Sequence, residues 1–341
     1  MVIAEKALIA QLRRLATVAK NPAIPLGIGD DCAVLRLSPR RGRPGESETE
    51  NDTLVTTDFS LEGIHFRRNW HSPESIGHRC LTRGLSDIAA MGGKPVAAFL
   101  SLALPADLAQ NWLARFSRNL ISLAKRYNVT LAGGDTAESP NGILADIVVV
   151  GSIPKGKAVL RSGARSGDLI YVSGELGGSA AALGALQKRA LQKEVRTKAG
   201  RKLNPRDYSR HFFPEPRAEL GRILREKGLA SAMIDTSDGL STDLAHICEE
   251  SCVGAEIQAE LIPRASVGKP VRQVDLEFAL HGGEDYELLF TARPGKRIPS
   301  RIADVPIARI GRITRTKKII LMKQDGVGHE LQPQGWEHFR K

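Results

Sequence analysis

Two continuous apolar runs, residues 95–104 and 143–153, are separated by an amphipathic stretch at 107–127. The runs read as buried strands and the stretch between them as a helix. The alternation recurs along the chain. Residues 53–59 read as a strand, and Ser72-Pro73-Glu74 opens a helix with Pro at its first position. Further on, 168–173 reads as a strand, 215–227 as a helix, 232–234 as a short buried strand, and 305–313 and 318–322 as strands. Strands and helices interleaved in this way indicate an α/β or α+β fold. A length of 341 residues predicts two domains at roughly 150 residues each. A Gly/Lys/Arg-rich pause at 153–167 interrupts the pattern, so the boundary is placed there, giving domains 1–153 and 154–341.

Composition excludes several classes. No apolar stretch is long enough to span a membrane. Residues 1–20 read as an amphipathic helix through Leu8, Leu12 and Leu15 rather than a secretory leader, which places the chain in the cytoplasm. Cys32, Cys80, Cys248 and Cys252 are too few and scattered for a disulfide framework. The last two share a helix face at i and i+4 and read as buried packing, since no second Cys or His pair is near them to complete a zinc site. The formal charge of +11 raises nucleic-acid binding as a candidate. Against it, the basic residues fall in loops (Arg40-Arg41, 188–210, 312–318) without interleaved aromatic residues. The segment 151–158 nearly fits a phosphate-binding loop, but Ala158 lacks the hydroxyl that would reach Mg²⁺ and no helix is predicted to follow.

What remains is a set of acids at strand and helix ends: Asp30, Asp31, Asp58, Asp87, Asp135, Asp235 and Asp238. Asp235-Thr236-Ser237-Asp238-Gly239-Leu240 shows the pattern best. A short strand leads into an acidic turn and then a helix start, with Thr236 or Ser237 as its N-cap. Asp87 sits among apolar and small residues, where a carboxylate is costly unless paired. Taken separately, such acids are caps and turns. If they converge they repel, and the cluster needs retained protons or cations; oxygen ligands with few His or Cys select Mg²⁺ over zinc.

The segments Gly27-x-Gly-Asp-Asp, Thr56-Thr57-Asp58, Glu62-Gly-x-His65-Phe66, Ser86-Asp87-Ile-Ala-Ala-Met-Gly92, Gly133-Gly-Asp-Thr136, Asp235-x-Ser-Asp-Gly-Leu240, Gly282-Gly-Glu-Asp-Tyr-Glu-Leu288 and Gly335-Trp-x-His-Phe339 occur in this order. Together they resemble the thiamine-monophosphate kinase family, a relative of aminoimidazole ribonucleotide synthetase and selenophosphate synthetase, from Leu8 to Phe339. The resemblance implies the two-domain aminoimidazole ribonucleotide synthetase-like fold. Its N-terminal sheet would pair across a homodimer, and the active site would lie in the cleft beside the C-terminal α+β domain. It also implies ATP-dependent conversion of thiamine phosphate to thiamine diphosphate by direct transfer.

By the same resemblance, Asp30, Asp58, Asp87, Asp135 and Asp235 would hold Mg²⁺ ions with help from Thr56 and Thr57, and Asp238 would hold a further ion. Gly134, Arg161 and Ser237 would contact ATP. His65, Glu284 and Trp336 would meet thiamine phosphate, with the indole facing the cationic thiazolium. No acid, base or nucleophile from the chain is implied, because a phosphate monoester with a second pKa near about 6 is already ionised at neutral pH. Two alternatives stay open: a sister ATP-dependent enzyme acting on another acceptor, and a basic nucleic-acid-binding protein.

Overall fold

A computed structural model of the chain describes residues 5–16, 21–36, 51–195 and 203–338. Most of the polar segment 38–52, the middle of the basic segment 188–210 and Phe339 lie outside the described residues.

The first half runs α1 (Glu5–Ala16), β1 (Ala33–Leu35), β2 (Asn51–Leu61), α2 (Pro73–Ala90), β3 (Lys94–Leu104), α3 (Gln110–Arg126), β4 (Thr130–Glu138) and β5 (Leu144–Pro154). Its five strands form one sheet in the order β1-β2-β5-β3-β4, antiparallel except where β4 lies parallel to β3. Side chains alternate along β2: Leu54, Thr56 and Ser60 are buried against α2, while Thr57 and Phe59 face outward. Ser72 caps α2 by accepting the Ser75 N–H, and Pro73 fills the first turn, as the sequence predicts. Gly77 lets α2 cross α3 closely, since a Cβ there would sit 2.2 Å from the Phe116 carbonyl oxygen.

The second half continues β6 (Leu169–Ser173), α4 (Gly178–Val195), α5 (Ser209–Phe212), α6 (Ala218–Glu226), β7 (Ala232–Asp235), α7 (Leu240–Ser251) and β8 (Gly254–Gln258). Then come β9 (Ser266–Val267), β10 (Arg272–Gln273), α8 (Leu276–His281), β11 (Leu288–Ala292), β12 (Arg301–Ile302), β13 (Val305–Thr314), β14 (Ile319–Met322) and β15 (Gly328–Glu330). Its main sheet has the order β15-β14-β8-β13-β6-β11-β7, with β12 beside β13. The mixed α/β architecture is the one the alternation predicts.

Each half has its own apolar core. A third cluster joins Ala89 and Ala90 of α2 to Leu220 and Leu224 of α6 and to Met233, Leu288 and Phe290. The C-terminal end of α2 is therefore buried against the other half. No helix among the described residues is long and apolar enough to cross a membrane. After β5, which runs through Gly151 to Pro154, the chain turns without starting a helix, so the near-match to a phosphate loop is not one.

Three local expectations fail. Gly133-Gly134-Asp135 is not a turn: β4 continues through it, paired with β3 across a bulge. Gly134 has φ of +152°, and a Cβ there would lie 1.8 Å from the Leu100 carbonyl oxygen, so the missing side chain is what lets the strand pass. Neither Thr236 nor Ser237 caps α7: the cap is Gly239, whose N–H is satisfied by Asp243 from inside the helix. Cys248 is buried as expected, but Cys252 is exposed because it ends α7 in a left-handed conformation that turns it off the helix face.

Candidate active site

Three elements bring acids together where the halves meet. Asp87 lies in the last turns of α2, Asp235 ends β7, and Asp31 sits in the turn before β1. Carboxylate oxygens of Asp31, Asp87 and Asp235 all lie within 4.8 Å of one another. At an effective dielectric near 20, each such pair repels by on the order of 3 kcal/mol if both members are charged. Burial and the neighbouring acids push Asp87 well above the usual carboxylate range, and Asp235 up to about 7. Hydrogen bonds hold the geometry: the Thr56 hydroxyl donates to Asp87, and the Ser86 hydroxyl donates to Asp235 at 2.5 Å. Asp58 lies on the same face of β2 as Thr56, whose hydroxyl holds Asp87, and burial raises the pKa of Asp58 as well.

The turn at Asp30-Asp31 revises the sequence reading. Asp31 is the acid that reaches the cluster. Asp30 accepts the backbone N–H groups of Asp31 and Arg161, both at 3.1 Å, and so shapes the turn; burial and Asp31 push it up to about 7. Arg161 donates to Asp31 at 2.7 Å. Buried Asp31 Oδ2 and buried Arg161 Nε have no hydrogen-bond partner. One orphan wants a cation and the other an anion, and they belong to a single ion pair. The remaining members of the set are placed differently. The Thr57 hydroxyl donates to Asp146 on the outer face of the sheet. Asp135 is exposed on β4 beside Gly134, and its carboxylate accepts the N–H of Thr136. Asp238 is not in the triad; burial and Glu5 of α1 push it up to about 6.

The acceptor-side residues do come together. Backbone hydrogen bonds from Glu284 N to Ser237 O (2.8 Å) and Tyr286 N to Thr236 O (3.0 Å) fasten the glycine loop after α8 to the acidic turn. Glu284 is paired with Arg79 (2.6 Å) and Arg83 of α2. Burial opposes its charge, yet the two guanidiniums hold it well below the usual carboxylate range. Trp336 N donates to Asp238 O at 3.0 Å, and its ring meets His338 edge-on, as His338 in turn meets His65. The His65 Nδ1 accepts the Leu61 N–H, so the ring proton is on Nε2. Burial and Arg83 push His65 down to about 3, which keeps it neutral.

Sequence reasoning missed Arg79, Arg83 and His338. Asp31 stands in the set of converging acids, but the family resemblance assigns the ion to Asp30 instead, and His338 falls inside a quoted motif without a role. The two arginines lie on α2, and the sequence reading gives them no role.

Residues 29–153 match the family description "AIR synthase related protein, N-terminal domain", and 165–324 match its C-terminal domain. Curated thiamine-monophosphate kinases align over most of the chain. That of Bacillus subtilis is 34% identical over 327 residues, covering 94% of this chain and 95% of the relative. That of Haemophilus influenzae is 39% identical over 302 residues, covering 86% and 84%. Among solved structures, AaThiL complexed with AMPPCP and TMP superposes with a TM-score of 0.80 at 29% identity, covering 99% of each chain. The thiamine-monophosphate kinase of Stenotrophomonas maltophilia gives 0.69 at 34%, covering 96% of this chain and 99% of that one. The hydrogenase maturation protein HypE in complex with ATP (0.63, 18% identity, covering 95% and 94%) shares the fold. With the ordered motifs, both matched domains and near full-length relatives in agreement, the chain belongs to the thiamine-monophosphate kinase family.

Proposed function

We infer that the chain transfers the γ-phosphoryl group of ATP to thiamine phosphate, giving ADP and thiamine diphosphate. One observation carries this at the site: a buried, all-oxygen cluster (Asp31, Asp87, Asp235) adjoins the charged and aromatic set of Glu284, His65 and Trp336 through a shared loop contact. An acceptor phosphate oxygen forms the new P–O bond as the bond from γ-phosphorus to the bridging oxygen of ADP breaks. No base is needed, because the acceptor phosphate is already ionised.

The donor set fits Mg²⁺: hard oxygens, an orphaned carboxylate oxygen on Asp31, and acids that retain protons when no cation is near. Asp31, Asp58, Asp87 and Asp235 would hold the ions, with Asp238 serving a further one. Bound Mg²⁺ would offset the negative charge where two phosphates meet. Arg161, with one guanidinium nitrogen still unpartnered, is suited to a nucleotide phosphate, and Ser237, between Asp235 and Asp238 on the acidic turn, would contact the nucleotide as well. His65 donates through Nε2 to an acceptor oxygen. The half-exposed Trp336 offers an indole face to a thiazolium, and Glu284 adds negative charge near it.

Two further readings belong to the same proposal. A division into 1–153 and 154–341, with a cytoplasmic location, completes the reading; the two separate sheets and apolar cores support the division. The outer face of the first sheet carries Phe59 (54% exposed), Phe99 (38% exposed) and Val148, a surface suited to a second copy of the chain.

The test is turnover with Mg²⁺-ATP and thiamine phosphate, with free thiamine in parallel. Thiamine diphosphate formed from thiamine phosphate alone supports the reading. ATP binding without product would move the acceptor to a sister reaction.

A further inference from the structure

The loop that carries Glu284 has a strained backbone. Glu284 and Tyr286 both adopt left-handed φ, +66° and +53°, although neither is glycine. Such residues persist only where their surroundings over-determine them, and they cluster at functional sites. Asp285, between the two, supplies one restraint. It is buried, and its carboxylate accepts the N–H groups of Gly177 (2.5 Å) and Ser179 (3.1 Å) at the start of α4. N–H groups at a helix start have no partner within the helix, so Asp285 and α4 satisfy each other.

A second restraint crosses between the halves. The Ser179 hydroxyl and His211 Nδ1 lie 2.9 Å apart. Arg79 donates to the His211 carbonyl at 2.9 Å and to Glu284 at 2.6 Å. These contacts close on themselves: from Glu284 the path runs through Asp285, Ser179, His211 and Arg79, and returns to the Glu284 carboxylate. Arg79 belongs to the first half and the other members to the second. Ser179, His211 and Arg79 are all buried, where an unmade hydrogen bond is costly. A planar guanidinium that must serve both the His211 carbonyl and Glu284 is held in one orientation. The ring therefore fixes the direction of the Glu284 side chain as well as its charge.

We propose that Ser179 and His211 are positioning residues for the acceptor: through Asp285 on one side and Arg79 on the other, they fix where the Glu284 carboxylate stands against thiamine phosphate. This rests on the thiamine-phosphate reading of the site. Both residues act through Glu284 rather than on the substrate.

A double-mutant cycle in steady-state kinetics tests the assignment, using the wild type, Ser179→Ala, Glu284→Gln and the two substitutions combined. Ser179→Ala removes the hydroxyl and leaves the backbone N–H that Asp285 accepts. Its KM for thiamine phosphate should rise roughly 3- to 10-fold, the factor for one lost neutral hydrogen bond, while the KM for ATP stays within about twofold. Once Glu284→Gln has removed the charge being positioned, adding Ser179→Ala should raise the KM for thiamine phosphate by less than about twofold further. A purely structural role would give the same factor in both backgrounds. A cooperative thermal transition shows that a variant is folded; if Ser179→Ala is not, Ser179→Cys, close in size and a weaker hydrogen-bonding group, carries the comparison. Equal factors in the two backgrounds, an unchanged KM for thiamine phosphate in Ser179→Ala, or equal loss for both substrates overturns the proposal. A wild type that makes no thiamine diphosphate overturns the functional reading and, with it, the acceptor named here; an active wild type confines any failure to the positioning role.

Discussion

The Nε2 atoms of His71 and His211 lie 2.9 Å apart, the first just before α2 and the second in α5. One imidazole donates and the other accepts, and burial, which disfavours the charged form, keeps both neutral in complementary tautomers. The Nδ1 of His211 is engaged by the Ser179 hydroxyl at 2.9 Å, and Arg79 donates to the His211 carbonyl at 2.9 Å. The pair thus braces the arginine that holds Glu284.

Burial and Arg79 push His71 down to about 4 and His211 well below its ordinary value. Unfolded histidines bind protons near about 6.5, so below that pH the unfolded chain takes up more protons than the folded one. The stability from the pair is present above about pH 6.5 and is lost as pH falls toward about 4, at about 1.4 kcal/mol per pH unit per histidine. His211→Gln should cost about 2–4 kcal/mol at pH 7. Urea unfolding should show that cost shrinking at pH 5. A pH-independent difference would mean the pair is not proton-linked.

Asp31→Asn should lower Mg²⁺-dependent turnover by about 100-fold or more, since it removes a charge from the buried triad. Asp30→Asn keeps an oxygen able to accept the Arg161 N–H, and its effect should be at least about tenfold smaller. Parallel Mg²⁺ titrations of activity separate the two; equal losses would return Asp30 to the ligand set.

The acids titrate in the opposite sense to the histidines. Asp30 and Asp235 are raised to about 7 and Asp238 to about 6. Without cations their stabilising protonation is present below an ordinary carboxylate pKa near about 4, and it is lost as pH rises through about 6–7. Mg²⁺ should therefore raise the melting temperature more at pH 8 than at pH 5, by at least about twofold, and EDTA should reverse the gain. Equal shifts at both pH values would argue that the ion binds elsewhere.

Phe99→Glu, on the outer face of the first sheet, introduces charge where the proposed subunit contact is apolar. Sedimentation should show a dimer for the wild type and a monomer for the variant at micromolar concentration. A monomeric wild type would remove the contact.

Much of this was legible in the chain. Apolar runs gave β3 and β5, a Ser-Pro start gave α2, and short acidic segments marked Asp87 and Asp235. Other features need the folded chain. Adjacent acids point different ways, so spacing could not choose Asp31 over Asp30. Two glycines before Asp135 read as a turn, and only the approach of the Leu100 carbonyl shows why a strand needs Gly134. Nothing in the chain singles out Arg79 and Arg83 until Glu284, 205 and 201 positions away, is seen against them.

Arg79, Arg83 and Asp87 recur every fourth residue along α2, a helix locked at Gly77 against α3 and buried at its far end against the other half. Four residues advance a helix by about 6 Å and bring it back to nearly the same face. α2 therefore acts as a ruler, setting the interval between the arginine pair that holds Glu284 and the acidic cluster by backbone geometry rather than by any loop. An inserted residue between Arg83 and Asp87 would add only about 1.5 Å yet turn the two groups about 100° apart. The helix can vary in the residues it presents, but its count between these positions cannot change.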